Sequence, residues 1–239
     1  MPPGFCVTGH ASNGEIAAAY ERLGGAAVAV RSSGLTEDSD TASFAGQHDT
    51  YLNVRGADAV IAAVRQCADS GGSEHARAYR QKHGFDTEAA LPVLVQSLVI
   101  ADAAGVAFSV SPTSPDHLLV NSAWGLGESV VSSQVTPDSF TVSRRTFATT
   151  SVPGDKKVMT VAVPDGVRTV ATPRFLRGRT SLRQRQVLLV AELALALERE
   201  HARPVDVEFA FSGGELHLLQ CRAITTAPPW PSPEGREGS

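Results

Sequence analysis

The residues best suited to chemistry begin with Arg31. It stands at the end of an apolar run, Ala26-Ala27-Val28-Ala29-Val30, which predicts a buried strand. Ser32 and Ser33 follow it, then a polar, acidic loop, then Phe44-Ala45-Gly46-Gln47. A guanidinium presents a rigid fork of donors to oxyanions. Two hydroxyls add further donors, and Gly46 lets the backbone come close to a ligand. Together they suit an anion with several oxygens. The plainer alternative is a strand-end arginine paired with Glu37 or Asp38, since ion-pair networks also populate such loops.

A second set lies near the C-terminus. Val205-Asp206-Val207-Glu208-Phe209-Ala210-Phe211 alternates, which predicts a half-buried strand with Asp206 and Glu208 on its polar face. Two carboxylates on one face suit a magnesium ion that bridges phosphates. Ser212-Gly213-Gly214 turns the chain, and Glu215 to Arg222 runs back. A two-residue Gly213-Gly214 turn would set Glu208 opposite Leu219 and send Gln220 to the far face. A three-residue loop would set Asp206 opposite Gln220 and gather Asp206, Glu208, Gln220 and Arg222 on one face. The three-residue register is expected, because it collects the polar groups. The alternative is a solvated polar face on an edge hairpin.

Other candidates are weaker. Trp124-Gly125-Leu126-Gly127-Glu128 can cradle a phosphate or simply turn the chain, and tight turning is the better reading. Gln96 at a strand end can read an adenine edge or meet solvent. The only lysines are Lys82, Lys156 and Lys157, so a lysine on a phosphate must be one of these three. His48 lies in the loop with Gly46 and Thr50, and the other histidines form no site by spacing. Neither a G-x-S-x-G elbow nor zinc spacing is present.

Positioning falls to the surrounding elements. Strands are expected at Phe5–Thr8, Val93–Val95, Gly105–Val110 and Leu118–Ser122, with a turn at Ala101–Ala104. Ser139–Ser143 and Lys157–Val163 read as two strands paired with each other. Helices are expected over Asn13–Leu23, capped by Asn13, over Asp58–Asp69 and over Glu74–His83. The longest helix starts at a Thr180 or Ser181 cap and runs to about Glu200. The tail from Ala227 is rich in Pro and Gly and is expected to be disordered.

Composition sets broad bounds. The chain has 239 residues, 42% hydrophobic and 19% charged, with a net charge of −4. This describes an ordinary globular chain and points to neither nucleic acid nor an anionic membrane as partner. No apolar stretch approaches the roughly 20 residues of a membrane span. The N-terminus reads as no secretory leader. Cys6, Cys67 and Cys221 lack metal or redox spacing, so reduced thiols in cytoplasm are expected.

Four segments, in order, resemble the ATP-binding domain of the phosphoenolpyruvate synthase, pyruvate phosphate dikinase and rifampin phosphotransferase family. They are PPGFCVT; VRSS through LNVRG; VQSLVIADAAGVAFSVSP through NSAWGLGESVVSSQVTPD; and VDVEFAF through LLQCRAIT. The resemblance implies an α+β, ATP-grasp fold with two subdomains clamping a nucleotide, here 1–95 and 96–226, before a tail at 227–239. It implies cleavage of ATP to AMP and phosphate, with the β-phosphate passing to a histidine on a swivelling domain and then to an acceptor.

Residue by residue, Arg31 resembles the phosphate-binding arginine, and Gly46 and Thr50 the phosphate loop. Gln96 is similar to the residue beside the adenine, and Leu98 is counted with it in the nucleotide site. Glu208 resembles the carboxylate that meets magnesium and ribose, and Asp206 joins it as a metal ligand. Gln220 resembles a magnesium or phosphate ligand, and Arg222 the arginine on the phosphates. ATP and Mg2+ are thus the expected ligands, with Arg31 and Arg222 as the catalytic pair.

The family pattern also departs from this chain. Its glycine-rich lysine loop would lie before Pro2, and no lysine precedes Lys82. The segment Gly9–Gly25 is shorter than the family's. A Trp and a Leu-Phe pair of the family are replaced around Ala68 and Gly71-Gly72, and the family glycine after VVS is Ser133. With no histidine domain in these residues, the acceptor is expected to be a separate phosphohistidine-domain protein or a small molecule. A homodimer or partner subunit is expected to cover apolar surface. The competing expectation is a nucleotide-binding module or fragment without turnover.

Overall fold

A computed structural model describes residues 1–8, 11–32, 50–70, 92–131 and 135–224. Two antiparallel sheets carry the chain, each with helices on one face.

The first sheet holds β1 (Gly4–Val7), β2 (Val28–Ser32), β3 (Thr50–Val54) and β4 (Val93–Ser97), in the order β1-β4-β2-β3. Helices α1 (Asn13–Arg22) and α2 (Ala57–Ser70) cover one face. Val28 and Val30 of β2 and Val93 and Val95 of β4 point into that layer, against Ile16, Tyr20, Val60 and Val64. The period of two therefore leaves Arg31 and Gln96 on the opposite face. Ser32 is on the helix side with Val30, buried, so its hydroxyl does not join Arg31. Ser12, rather than Asn13, caps α1: its hydroxyl accepts from the Glu15 amide, and the Glu15 carboxylate accepts from the Ser12 amide. β4 extends to Ser97, so Gln96 lies within the first sheet.

The second sheet has the order β12-β11-β5-β6-β7-β8. Its strands are β5 (Ala103–Phe108), β6 (His117–Trp124), β7 (Asp138–Ser143), β8 (Thr149–Val152), β11 (Val205–Ser212) and β12 (Glu215–Ala223). Ala103 and Ala104, expected in a turn, already belong to β5. Two single-turn helices, α3 (Glu128–Val131) and α4 (Arg174–Arg177), precede the long α5 (Gln184–His201). Val187, Val190, Ala191 and Ala194 of α5 meet Val205, Val207, Phe209 and Phe211 of β11 in the main core. The alternation read in β11 thus selects its buried face as expected.

Other expectations also fail in this half. Ser139–Ser143 does not pair with the strand after Lys157. β7 pairs with β6 and β8, while β9 (Val158–Val163) forms a separate two-stranded ribbon with β10 (Gly166–Ala171). Nor does Thr180 or Ser181 cap α5. Arg183 holds that position, and Ser181 is drawn away to Asp138. The expected helix at Glu74–His83 and the tail from Ala227 lie outside the described residues.

Candidate functional site between the two sheets

The turn between β11 and β12 has two residues. Gly213 and Gly214 both have positive φ, +58° and +86°, the geometry of a tight hairpin turn matched to strand twist. Ser212 pairs with Glu215, so the three-residue loop expected from the polar pattern is not formed. Continued regularly, this register would have sent Gln220 to the core face. A β-bulge prevents it. Phe209 pairs with Leu218, the next residue Leu219 is extra, and Glu208 then pairs with Gln220. Asp206 lies opposite Arg222, not Gln220. The four polar residues share a face after all, through a bulge instead of a longer loop.

That face meets Arg31 from the first sheet. Arg31 Nη1 donates to Gln220 Oε1 at 2.8 Å and stands 3.5 Å from Glu208 Oε2. Its Nη2 donates to the Leu219 carbonyl at 2.9 Å and more weakly to Gln96 Oε1 at 3.4 Å. Thr50 pairs with Arg31 across β3 and β2, which places it on the same face. Gln96 is buried, and its Nε2 donates to the Pro2 carbonyl at 3.3 Å. Gln96 is therefore packed against the guanidinium, not left at a solvated strand end. Leu98 donates its amide to Ala27 O at 2.9 Å and lines a cleft of about 530 Å³ with Pro2, Ser97, Ile100, Leu216 and His217. Gly46, Ser33 and His48 lie outside the described residues.

Electrostatics separates the two carboxylates. Burial pushes the Asp206 carboxyl up to about 6, the neighbouring Glu208 charge adds to this, and Arg222 opposes it. The oxygens of Asp206, Glu208 and Gln220 are hard donors, the kind magnesium takes alongside phosphate oxygens. Among the described residues no cluster of three His, Cys, Asp or Glu side chains is placed to hold a metal ion. Two carboxylates and one amide supply fewer oxygens than a divalent cation takes, so a cation held here would draw its remaining ligands from a bound anion or solvent.

The other sequence candidates fall into structural roles. Lys156 is fully buried in an ion pair with Asp138. Asp138 also accepts from the Gly154 amide at 2.8 Å and from the Ser181 amide and hydroxyl at 2.6 and 2.7 Å. Lys157 is exposed and pairs with Asp155 at 2.9 Å. In the Trp124–Glu128 segment, Gly125 has φ +78°, and a Cβ there would stand 2.3 Å from Thr160 O. The missing side chain admits the β9 backbone, which bridges to Gly125 and Leu126 at Thr160. Sequence reasoning missed Leu219, whose carbonyl faces Arg31, and Asn53, whose amide reaches the β9–β10 turn. Side-chain type carries no signal for the first. The second stands inside the LNVRG motif.

A family model and curated relatives indicate one family. Residues 2–234 match the model described as "Pyruvate phosphate dikinase, AMP/ATP-binding domain". A probable phosphoenolpyruvate synthase of Methanocaldococcus jannaschii is 41% identical over 204 residues, 83% of this chain and 17% of the relative. The rifampicin phosphotransferase of Streptomyces sviceus is 34% identical over 88% of this chain and 25% of its own length. The chain thus spans a quarter or less of these two curated relatives. Among solved structures, D-alanyl-alanine synthetase A from Vibrio cholerae aligns with 93% of this chain and 50% of that one, at 14% identity and a TM-score of 0.42.

Proposed function

This chain belongs to the pyruvate phosphate dikinase AMP/ATP-binding domain family, an ATP-grasp family of phosphotransferases, and from that premise we propose that it binds Mg2+-ATP between its two sheets for phosphoryl transfer. The observation that carries this reading is the meeting of Arg31 with Gln220 and Glu208. A cation from one sheet and oxygen ligands from the other line the same gap. Phosphoryl transfer asks chiefly for positioning and charge stabilisation, and this gap offers both.

In this reading the two sheets form the two halves of the clamp, and the division falls just past β4 rather than at 95/96, because Gln96 and Ser97 pair within the first sheet. Arg31 and Arg222 hold the phosphate oxygens, with Thr50 on the face of Arg31; Gly46, the other residue proposed for the phosphate loop, lies outside the described residues. Gln96 and Leu98 lie on the base side. Asp206, Glu208 and Gln220 hold the magnesium, which when bound neutralises charge on the phosphates. The phosphate then passes to a histidine-domain partner or to a small-molecule acceptor. Cytoplasm is the proposed setting. Among the described residues no helix is long and apolar enough to cross a membrane. A second copy or another subunit would cover exposed apolar groups such as Ile100 and Phe175.

A module that binds nucleotide without turnover is the second reading. The engagement of Lys156 with Asp138 inside the fold favours it, because that lysine cannot also grip a phosphate. Calorimetric titration with ATP, with and without magnesium, tests the site itself. Magnesium-dependent binding that Arg222→Ala abolishes is the expected result. No binding by a well-folded chain would overturn the proposal. Release of AMP and phosphate in the presence of candidate acceptors then divides the enzyme from the module.

A further inference from the structure

The β9–β10 ribbon belongs to neither large sheet, yet it touches both. On one side the Leu126 amide donates to Thr160 O at 2.9 Å, and Gly125 bridges the same residue. On the other side stands Asn53, in β3 of the first sheet. Asn53 is 3% exposed, and its Nδ2 donates to Val163 O at 2.5 Å and to Gly166 O at 2.7 Å. Those two carbonyls flank the Pro164-Asp165 turn, so one side-chain amide uses both of its protons on the tip of the ribbon. Asn53 also has φ +59°, in the left-handed region that Asn tolerates better than most residues. It lies just past the Val30–Tyr51 pairing, where the β2–β3 register shifts. The local backbone is thereby turned so that the amide points out of its own sheet.

We propose that Asn53 is a positioning residue that clasps the β9–β10 ribbon to the first sheet and so fixes the separation of the two faces that bind nucleotide. The proposal rests on the nucleotide reading above for its functional half. Its structural half stands on the two hydrogen bonds alone. The ribbon is a strap whose Thr160 bonds to Leu126, just past β6 of the second sheet, and whose turn bonds to Asn53 of the first. Arg31 and Gln220 meet between the same two sheets.

The test uses Asn53→Gly, which keeps the positive φ accessible and removes the amide. Asn53→Ala serves as a second variant that also removes the amide. Ile16→Ala, a core truncation in α1, is the control for general destabilisation, since Ile16 is buried far from the ribbon in sequence. Amide hydrogen exchange over residues 158–171 and calorimetric ATP affinity are measured on all four proteins. Asn53→Gly is expected to speed exchange across the ribbon at least tenfold and to weaken Mg2+-ATP binding about tenfold, with Ile16→Ala changing neither selectively. Unchanged ribbon exchange in Asn53→Gly would overturn the clasp. Equal effects from Ile16→Ala would reduce it to a general loss of stability and overturn it too. If the ribbon loosens in Asn53→Gly while ATP affinity stays unchanged, the positioning role fails. If the parent chain binds no ATP, the nucleotide reading fails instead, and the exchange result still decides the clasp.

Discussion

Arg31 Nη2 donates to the carbonyl of Leu219 at 2.9 Å, and Leu219 is the extra residue of the bulge in β12. The bulge does two things at once. It returns Gln220 and Arg222 to the face of Glu208 and Asp206, and it leaves a main-chain carbonyl where Arg31 can reach it. A β-bulge commonly re-aims groups beside a functional site. Here the guanidinium is held through one nitrogen by that carbonyl and through the other by Gln220.

Deleting Leu219 separates these two effects. The deletion leaves Leu218 opposite Phe209 and Gln220 opposite Glu208 in an unbroken ladder. The polar face survives, but the carbonyl that orients Arg31 is gone. Thermal unfolding of the variant should shift by only a few degrees. Mg2+-ATP affinity should fall by about ten- to a hundredfold, the worth of roughly one hydrogen bond to a charged group. Unchanged affinity by calorimetry would mean that the bulge serves register alone.

Much of this arrangement was legible in the sequence, and the reasons differ by element. β11 was readable because its alternation is strict and one face is buried. Arg31 was readable as a strand-end cation because Val28 and Val30 fix the phase of β2. The hairpin register was not readable, since a glycine pair permits more than one loop and no side chain marks Leu219 as a bulge. β8 and β10 were missed because they carry mixed, largely exposed residues with little hydrophobic period. Lys156 stayed among the three lysines open to a phosphate because its partner Asp138 is distant in sequence, at the start of β7.

The Asp138–Lys156 pair yields a second prediction. Both side chains are fully buried, and the carboxylate also holds the Ser181 hydroxyl and amide that lead into α5. Asp138→Asn or Lys156→Met alone leaves a charge without its counter-charge in the interior. Each should cost about 3–5 kcal/mol in urea unfolding. The double variant should recover a large part of that loss, because no buried charge remains. Single variants that unfold like the parent chain would show that water reaches the site.

A third prediction follows from Asp206. Its folded carboxyl titrates near 6, against 3.8 for an ordinary aspartate, because burial and the Glu208 charge disfavour ionisation. The sign is therefore opposite to that of a salt-bridged carboxylate. The protonated form stabilises the metal-free fold. This contribution is complete below about pH 4 and is lost as pH rises through about 6. Its size is at most on the order of 3 kcal/mol. Urea unfolding of the metal-free chain should show the parent losing more stability than Asp206→Asn between about pH 4 and pH 7. Parallel pH profiles for the two proteins would contradict this. Magnesium works in the other direction, since it needs the carboxylate ionised. Mg2+-ATP affinity of the parent should therefore weaken as pH falls through about 6.

The last prediction concerns the geometry of Arg31 itself. Lysine at this position keeps the charge but has one nitrogen, whereas Arg31 uses Nη1 toward Gln220 and Glu208 and Nη2 toward Leu219 and Gln96. A single ammonium cannot span both sets, because the two arginine nitrogens diverge in a fixed fork. Arg31→Lys should lower Mg2+-ATP affinity nearly as far as Arg31→Ala, on the order of tenfold or more for each. Both variants should unfold at temperatures close to the parent's, since Arg31 is partly exposed and its contacts lie outside the two hydrophobic cores. Calorimetric affinity for the three proteins decides the matter. If Arg31→Lys binds as the parent does, the site needs only a positive charge, and the two-nitrogen contact with the bulge has no part in holding the nucleotide.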